Sequence, residues 1–452
     1  MKPAAFSRGL GVVVVAVATL TSSGTAAKQE GNPLATWDQR NLDALAIQIN
    51  NEEHFVTLKA KAKSSYQTAH GPPISQEAAS RLNAAIDELA FSAIQKAVNN
   101  DTLSPKVYWV DAGPRKWFGL DVPGGRYSYD NPDCIYRTIP IDSRFDYVIK
   151  GHRHTPGPAD VTFSLISNPN SQKTVTKLAD KDLVVNHDGS YIITINNSTS
   201  KGRINHIQSS PMGKQLLIRN NLENWLSQRP DNLTVELVNH APRYSAISKE
   251  DIITVAARNL QESILNYGLG ALKRMTMSNA VNTLSNASQS STLGTLTTQA
   301  SSYGYFNLTA DDALVVTVNP GSADYFVVPV TDPWMITVDP GIHQVSLNNA
   351  QSIPNANGTY TFVVSLKDPR VHNWIDTAGL HEGTIMVRWQ GLTLTNNSSW
   401  ASPHKSHGVN TQVVPFYKLA SALPNGTHVV TPKERAAQLA QRIRGYTRRL
   451  AF

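Results

Sequence analysis

The chain has 452 residues, a formal net charge of +7, 40% hydrophobic and 17% charged residues, and one cysteine. That length buries a sizeable core without covalent staples, and Cys134 standing alone excludes an intrachain disulfide and a multi-cysteine zinc site. Mild basicity with no reading motif argues against a nucleic-acid partner.

The first residues predict an export signal. Lys2 and Arg8 make a basic start, Leu10 to Leu20 is an apolar run of eleven, and the small residues Thr21 to Ala27 suit signal peptidase. The run is shorter than the roughly 20 residues a bilayer span needs, so residues 1–27 read as a cleaved signal peptide. The remaining chain is expected in the secretory-pathway lumen or outside the cell, with no transmembrane segment. Asn100, Asn196, Asn197, Asn232, Asn286, Asn307, Asn357, Asn396, Asn397 and Asn425 each open an N-x-S/T triplet and are expected glycan carriers.

Residues 28–104 read as helical. Trp37 to about Ser64 carries apolar residues at helical spacing. Ser75 to Val98 follows Pro72-Pro73, with Ser75 as a cap and Leu82, Ala85, Ile86 and Leu89 along one side. Across residues 105–247 the period drops to two, with strands expected at Arg144 to Lys150, Val161 to Ile166 and Tyr191 to Asn196. Residues 248–302 begin as a helix at Ser248 and end in the Ser/Thr/Asn-rich stretch Ser278 to Ser302, expected to be a linker or mobile loop.

Residues 303–430 return to short strands: Ala313 to Val318, Tyr325 to Val330, Thr359 to Leu366 and Thr384 to Thr395. Residues 431–452 open with Thr431-Pro432-Lys433-Glu434, a capping box with proline at the first helical position. Arg435, Arg442, Arg444, Arg448 and Arg449 are expected to form a solvated basic face on this helix. The fold class is therefore α+β: two β-sandwich or jelly-roll-like domains with N-terminal, middle and C-terminal helices.

The P-loop, the dinucleotide fingerprint, G-x-S-x-G and H-E-x-x-H are all absent from the sequence. His152-Arg153-His154 would place two imidazoles on one strand face, but Thr155-Pro156-Gly157-Pro158 ends the strand at once. Two ligands are too few for a metal site, so no metal and no cofactor is indicated. Cys134 is expected to be a buried small side chain.

Two stretches gather chemistry-bearing residues. Tyr127 to Tyr136 offers Tyr127, Asp130, Asp133 and Tyr136 as ligand-binding candidates, and Asp368 to Trp389 adds Asn373, Trp374 and Arg388. Asp376 and Glu382 in the second stretch form a candidate acid/base pair, and carboxylates among Trp and Tyr also suit sugar binding. The same residue types close turns, pair across strands and fill cores, which is the competing structural reading.

These residues carry a resemblance to the family called domain of unknown function 1214, related to the domain numbered 1254. It rests on Tyr127-x-x-Asp130-Asn131-Pro132-Asp133-x-Ile135-Tyr136, on Thr331-Asp332-Pro333-Trp334 and on Ser346-Leu347-Asn348. It is strongest at Asn373-Trp374-Ile375-Asp376-Thr377-Ala378-Gly379 with Glu382-Gly383 and Arg388-Trp389, and Pro432 to Leu439 also fits. The resemblance implies jelly-roll sandwich domains. It brings no catalytic residues, because activity is not established for that family. The signal peptide and sequons depart from many relatives and point to a fungal-type secreted branch.

The leading expectation is a protein that binds or processes a small-molecule or glycan-like ligand between its β-domains, in a setting such as a fungal metabolite pathway. Two alternatives stand beside it: a hydrolase or isomerase using Asp376 and Glu382, and a structural or cell-surface assembly protein without catalysis.

Overall fold

The computed structural model describes residues 31–238, 247–289, 299–392 and 408–450. The expected signal peptide and the sequons at Asn396 and Asn397 lie outside the described residues.

Helix boundaries follow local hydrogen bonding. Helix α1 spans Trp37–Asn50 and α2 spans Glu53–His70. The expected single helix breaks between them, where the poor helix formers Asn50 and Asn51 stand together and the Glu52 amide turns back to Ile49. Helix α3 spans Gln76–Val98, and its cap Ser75 accepts the Ala78 amide at 2.9 Å. From Glu88 to Val98 every residue of α3 is buried, so the helix runs through the middle of the protein. Gly124 lets the chain approach it, because a Cβ at that position would lie 2.3 Å from the Glu88 carboxylate.

Helix α4, Lys249–Ser263, is capped by Ser248 as the sequence predicts. It continues as a π-helix over Ile264–Thr276, where the Met277 amide and the Thr276 hydroxyl both reach back five residues, to Leu272 and Ala271. The short α5, Leu419–Ala422, precedes α6, Pro432–Arg448, whose capping box joins Thr431 and Glu434. Among the described residues no helix is long and apolar enough to cross a membrane.

The strands form mainly antiparallel sheets in a mixed α and β fold. A five-stranded sheet runs in the order Tyr108–Val110, Cys134–Pro140, Gln215–Asn221, Asp160–Ile166, Thr174–Ala179. It shares a core of Ile139, Phe163, Leu165, Leu216 and Ile218 with a four-stranded sheet built from Asn232–Leu237, Tyr147–His152, Ser190–Asn196 and His206–Gln208. A second pair of four-stranded sheets encloses Phe306, Val316, Phe326, Phe362, Ile385 and Trp389. Ala300–Asn307, Glu382–Gln390, Tyr325–Thr331 and Ser346–Asn348 make one of these sheets. Trp374–Asp376, Tyr360–Ser365, Asp312–Val318 and Val409–Pro415 make the other.

The Ser/Thr/Asn-rich stretch differs from expectation where it is described. Leu284 and Ser288 bridge to Gly304 and Ser301, and the Ser302 hydroxyl and Tyr303 amide both bond to Ser285. Its polar side chains add to backbone bonds such as Ser285 N to Tyr303 O along a strand that starts at Ala300, and residues 290–298 lie outside the described residues.

The basic residues of α6 also differ. Arg442 is buried over the Trp225 ring at 4.4 Å and donates to the carbonyls of Pro340 and Ser346. Arg435 is buried against Asp368 at 3.0 Å. Arg444 alone of the five is exposed, because helical spacing turns the others toward the sheets and loops below.

Candidate ligand pocket

Strand alternation prepares the first wall of a pocket. In Gln215–Asn221 the side chains of Leu216 and Ile218 enter the sandwich core, so Gln215, Leu217 and Arg219 point to the opposite face. Arg219 stands opposite Tyr136, which stands opposite Val110, giving a row across three strands; Leu217 and Thr138 make the next row. This face of the sheet is turned toward α3 and the second pair of sheets, and it carries polar groups.

Three further elements close the space. Helix α3 contributes Ser92 and Lys96, and the π-helix contributes Tyr267, Ala271 and Met275. With i→i+5 bonding each turn takes more than four residues, so these three, four apart, stay on one side. The second pair of sheets contributes Tyr303, Met386 and Arg388, with Tyr303 and Met386 directly opposite each other. Asp111, Tyr127, Ser128, Tyr129, Gln172 and Gln299 complete the lining from loops. A cavity of about 60 Å³, partly open to solvent, lies between these groups.

Aromatic contacts order the walls. The Tyr127 and Tyr267 rings lie 4.7 Å apart, and the Tyr129 and Tyr303 rings 5.3 Å apart. The Lys96 ammonium sits 4.3 Å over Tyr127, and Gln172 donates to the Tyr127 hydroxyl at 2.7 Å. Ser128 and Tyr129 both hold positive φ, 49° and 63°, a backbone state that non-glycine residues adopt rarely and that gathers at ligand sites.

Burial dominates the electrostatics. It brings the Lys96 ammonium down to about 7, against the pull of Asp111 and Glu262. It pushes the Asp111 carboxyl well above the ordinary range, with Asp130 adding to the effect and Lys96 opposing it. Asp111 keeps some surface open to the pocket, yet its Oδ1 is shut off from solvent and has no hydrogen-bond partner in the protein. Thr138 Oγ1 and Arg388 Nε are in the same condition. Leaving one such atom unmatched costs roughly 1–3 kcal/mol, so three approach the net stability of a typical domain, about 5–15 kcal/mol.

Tyr127, Tyr136 and Arg388, named from sequence as ligand-binding candidates, all line this pocket. Arg388 Nη1 donates to the Tyr136 hydroxyl at 3.2 Å, so the two sequence stretches meet. Asp130 lies one step away, lining a neighbouring cavity of about 40 Å³ that shares Asp111, and accepts the Thr337 amide at 2.9 Å.

The other candidates lie elsewhere. Asp133 is fully buried and accepts from Trp225 Nε1, the Tyr325 hydroxyl and Asn348 Nδ2 at 2.7–2.8 Å. Asn373 bonds both backbone groups of Ile353, and Trp374 Nε1 donates to Ser365 while Arg435 covers its ring. Asp376 and Glu382 stand on different sheets. Asp376 pairs with His343 at 2.8 Å, and Glu382 accepts from Ser75 and from the Tyr305 hydroxyl. They share no hydrogen-bond partner.

Lys96, Asp111, Thr138, Arg219, Tyr267 and Tyr303 were missed from sequence. Two left a trace: Arg219 ends the apolar run Leu216 to Ile218, and Lys96 is the one charged residue in the last nine of α3. Cys134 is buried, and burial pushes its thiol up to about 12, far from a reactive thiolate. His152 and His154 lie edge to face at 5.4 Å, and no group of three or more His, Cys, Asp or Glu suited to a metal occurs among the described residues.

No protein-family model matches the chain, and no curated protein matches it. Its fold is similar to that of an uncharacterised protein from Burkholderia cenocepacia, with a TM-score of 0.66 and 21% identity over 84% of this chain and 100% of that one. A protein from Vibrio parahaemolyticus aligns over 75% of this chain and 98% of its own, with a TM-score of 0.39 and 10% identity. The first likeness is one of fold alone.

Proposed function

We propose that this chain binds a small organic molecule in the pocket between its two pairs of sheets. The observation that carries the reading is convergence. Six distant segments bring tyrosine rings, a buried lysine and two arginines to one space, where three buried polar atoms lack partners. Apolar walls with a few placed polar groups are the usual make-up of a small-molecule site, and the junction of two packed units is a common place for one.

The setting we propose is the secretory lumen or the cell exterior. Its support is the basic-apolar-small order of the first 27 residues and the exposure of Asn100, Asn197, Asn286, Asn307, Asn357 and Asn425. The paired sheets are compatible with jelly rolls, and with them goes membership of the domain of unknown function 1214 family in a fungal-type branch. The tyrosine motif of that resemblance supplies two pocket residues, Tyr127 and Tyr136.

The test is a thermal-shift screen of small metabolites against the full chain and an Ala271→Phe variant. Ala271 is buried on the pocket side of the π-helix, and a phenyl ring there occupies the space. Binders should raise the melting temperature of the native chain and lose that effect in the variant. No binder, or binders indifferent to Ala271→Phe, would return the chain to the structural reading.

A further inference from the structure

We infer that the pocket's ligand is a flat organic acid, its carboxylate between the guanidinium groups of Arg219 and Arg388 and its body against the tyrosine walls. This rests on the small-molecule reading above and adds the charge and orientation of the ligand.

Sign comes first. Lys96, Arg219, Arg388 and Asp111 line the pocket, and burial favours the neutral forms of Lys96 and Asp111, so the two guanidiniums set its sign. Arg388 meets the Tyr136 hydroxyl at 3.2 Å, the Tyr129 carbonyl at 3.3 Å and the Met386 sulfur at 3.9 Å, all of them neutral. Its Nε is buried with no acceptor. A guanidinium held this way is short of negative charge, and a carboxylate supplies both the charge and a planar pair of acceptors. A cationic ligand would add a like charge to this group.

Position follows from register. Arg219 stands directly opposite Tyr136 on the neighbouring strand, and Arg388 reaches the same tyrosine from the other pair of sheets. Arg219 Nη1 donates to Ser164 Oγ at 3.4 Å on the strand to the other side, and both guanidiniums line the same pocket; burial holds that of Arg219 below its ordinary value, with Arg388 among the charges that lower it. An anion between them relieves this repulsion. Thr138, one row further along the same face, offers its unmatched hydroxyl. The Tyr127–Tyr267 and Tyr129–Tyr303 pairs, with Met275 and Met386, then leave an apolar space suited to a flat or ring-shaped body.

Calorimetric titration of the full chain with benzoate and cinnamate, each against its matched alcohol, tests the inference. The acids should bind and the alcohols should bind at least about tenfold more weakly, with a similar loss for the acids in Arg388→Met. Arg388→Lys, which keeps charge without the fork, should fall between. The acid-against-alcohol comparison needs no variant and holds even where Arg388→Met fails to fold. Equal affinity for acid and alcohol overturns the anion inference and leaves the pocket reading intact. So does failure of both acids when neutral compounds give Ala271-sensitive shifts. Absence of every binder overturns both.

Discussion

Arg388 Nη1 donates to the Tyr136 hydroxyl across 3.2 Å, and this bond joins residues 252 positions apart in the chain. It ties the polar face of the five-stranded sheet to a strand of the second pair of sheets, at the pocket. Groups at the same junction set how binding, pH and stability are linked.

The junction's principal hydrogen-bond hub is Asp133. Its carboxylate accepts from Trp225, Tyr325 and Asn348 in a site with no exposure. Asp133→Ala strands three buried donors and should lower unfolding stability by at least about 3 kcal/mol, whereas Asp133→Asn should lower it less. Urea unfolding of the two variants measures the difference. Equal, small effects would mean that the two pairs of sheets are held by other contacts.

Lys96 predicts a pH dependence. Burial lowers its folded value to about 7 from an ordinary 10.5, so between these limits the unfolded chain holds a proton that the folded chain has shed. Its contribution to stability therefore rises with pH over that window, and the penalty of burying the charge is complete below about 7. The raised Asp111 works in the opposite direction, losing stability as pH rises from 3.8 towards its folded value. Lys96→Met should gain relative to the native chain by roughly 3 kcal/mol more at pH ~6 than at pH ~9. Chemical denaturation at both values checks this, and a difference independent of pH would place the ammonium in solvent.

Glu382 and Asp376 separate scaffold from pocket. Glu382 joins the start of α3 to the second pair of sheets through Ser75 and Tyr305, so Glu382→Gln should cost about 1–2 kcal/mol of stability. Asp376→Asn weakens one half-exposed pairing with His343 and should cost less. Ligand affinity in the pocket should stay unchanged in both. Loss of ligand binding in a folded Asp376→Asn protein would revive the acid/base reading.

The C-terminal helix is set by its cap. Thr431 accepts the Glu434 amide and Glu434 accepts from Thr431 in return, so Thr431→Ala should destabilise by about 1 kcal/mol. Hydrogen exchange should show the first turn of the helix opening before Arg442, which is pinned to Pro340 and Ser346.

What the sequence determined was local or periodic. Ser75, Ser248 and Thr431 begin helices in the structure because a cap needs only a side chain and an amide three residues on. Val161 to Ile166 and Tyr191 to Asn196 were legible as strands from their short β-branched and aromatic runs between turn residues. Tyr127, Tyr136 and Arg388 stood out because aromatic and charged residues were clustered around them. The strands Cys134–Pro140 and Gln215–Asn221 were hidden, since every residue in them is buried and neither face shows the polar alternation of an exposed one. Their register put Arg219 beside Tyr136, and the passage of α3 between the two pairs of sheets put Lys96 over Tyr127. Contacts of that kind join residues far apart along the chain, so only the tertiary packing decided that a pocket exists and which charges face it.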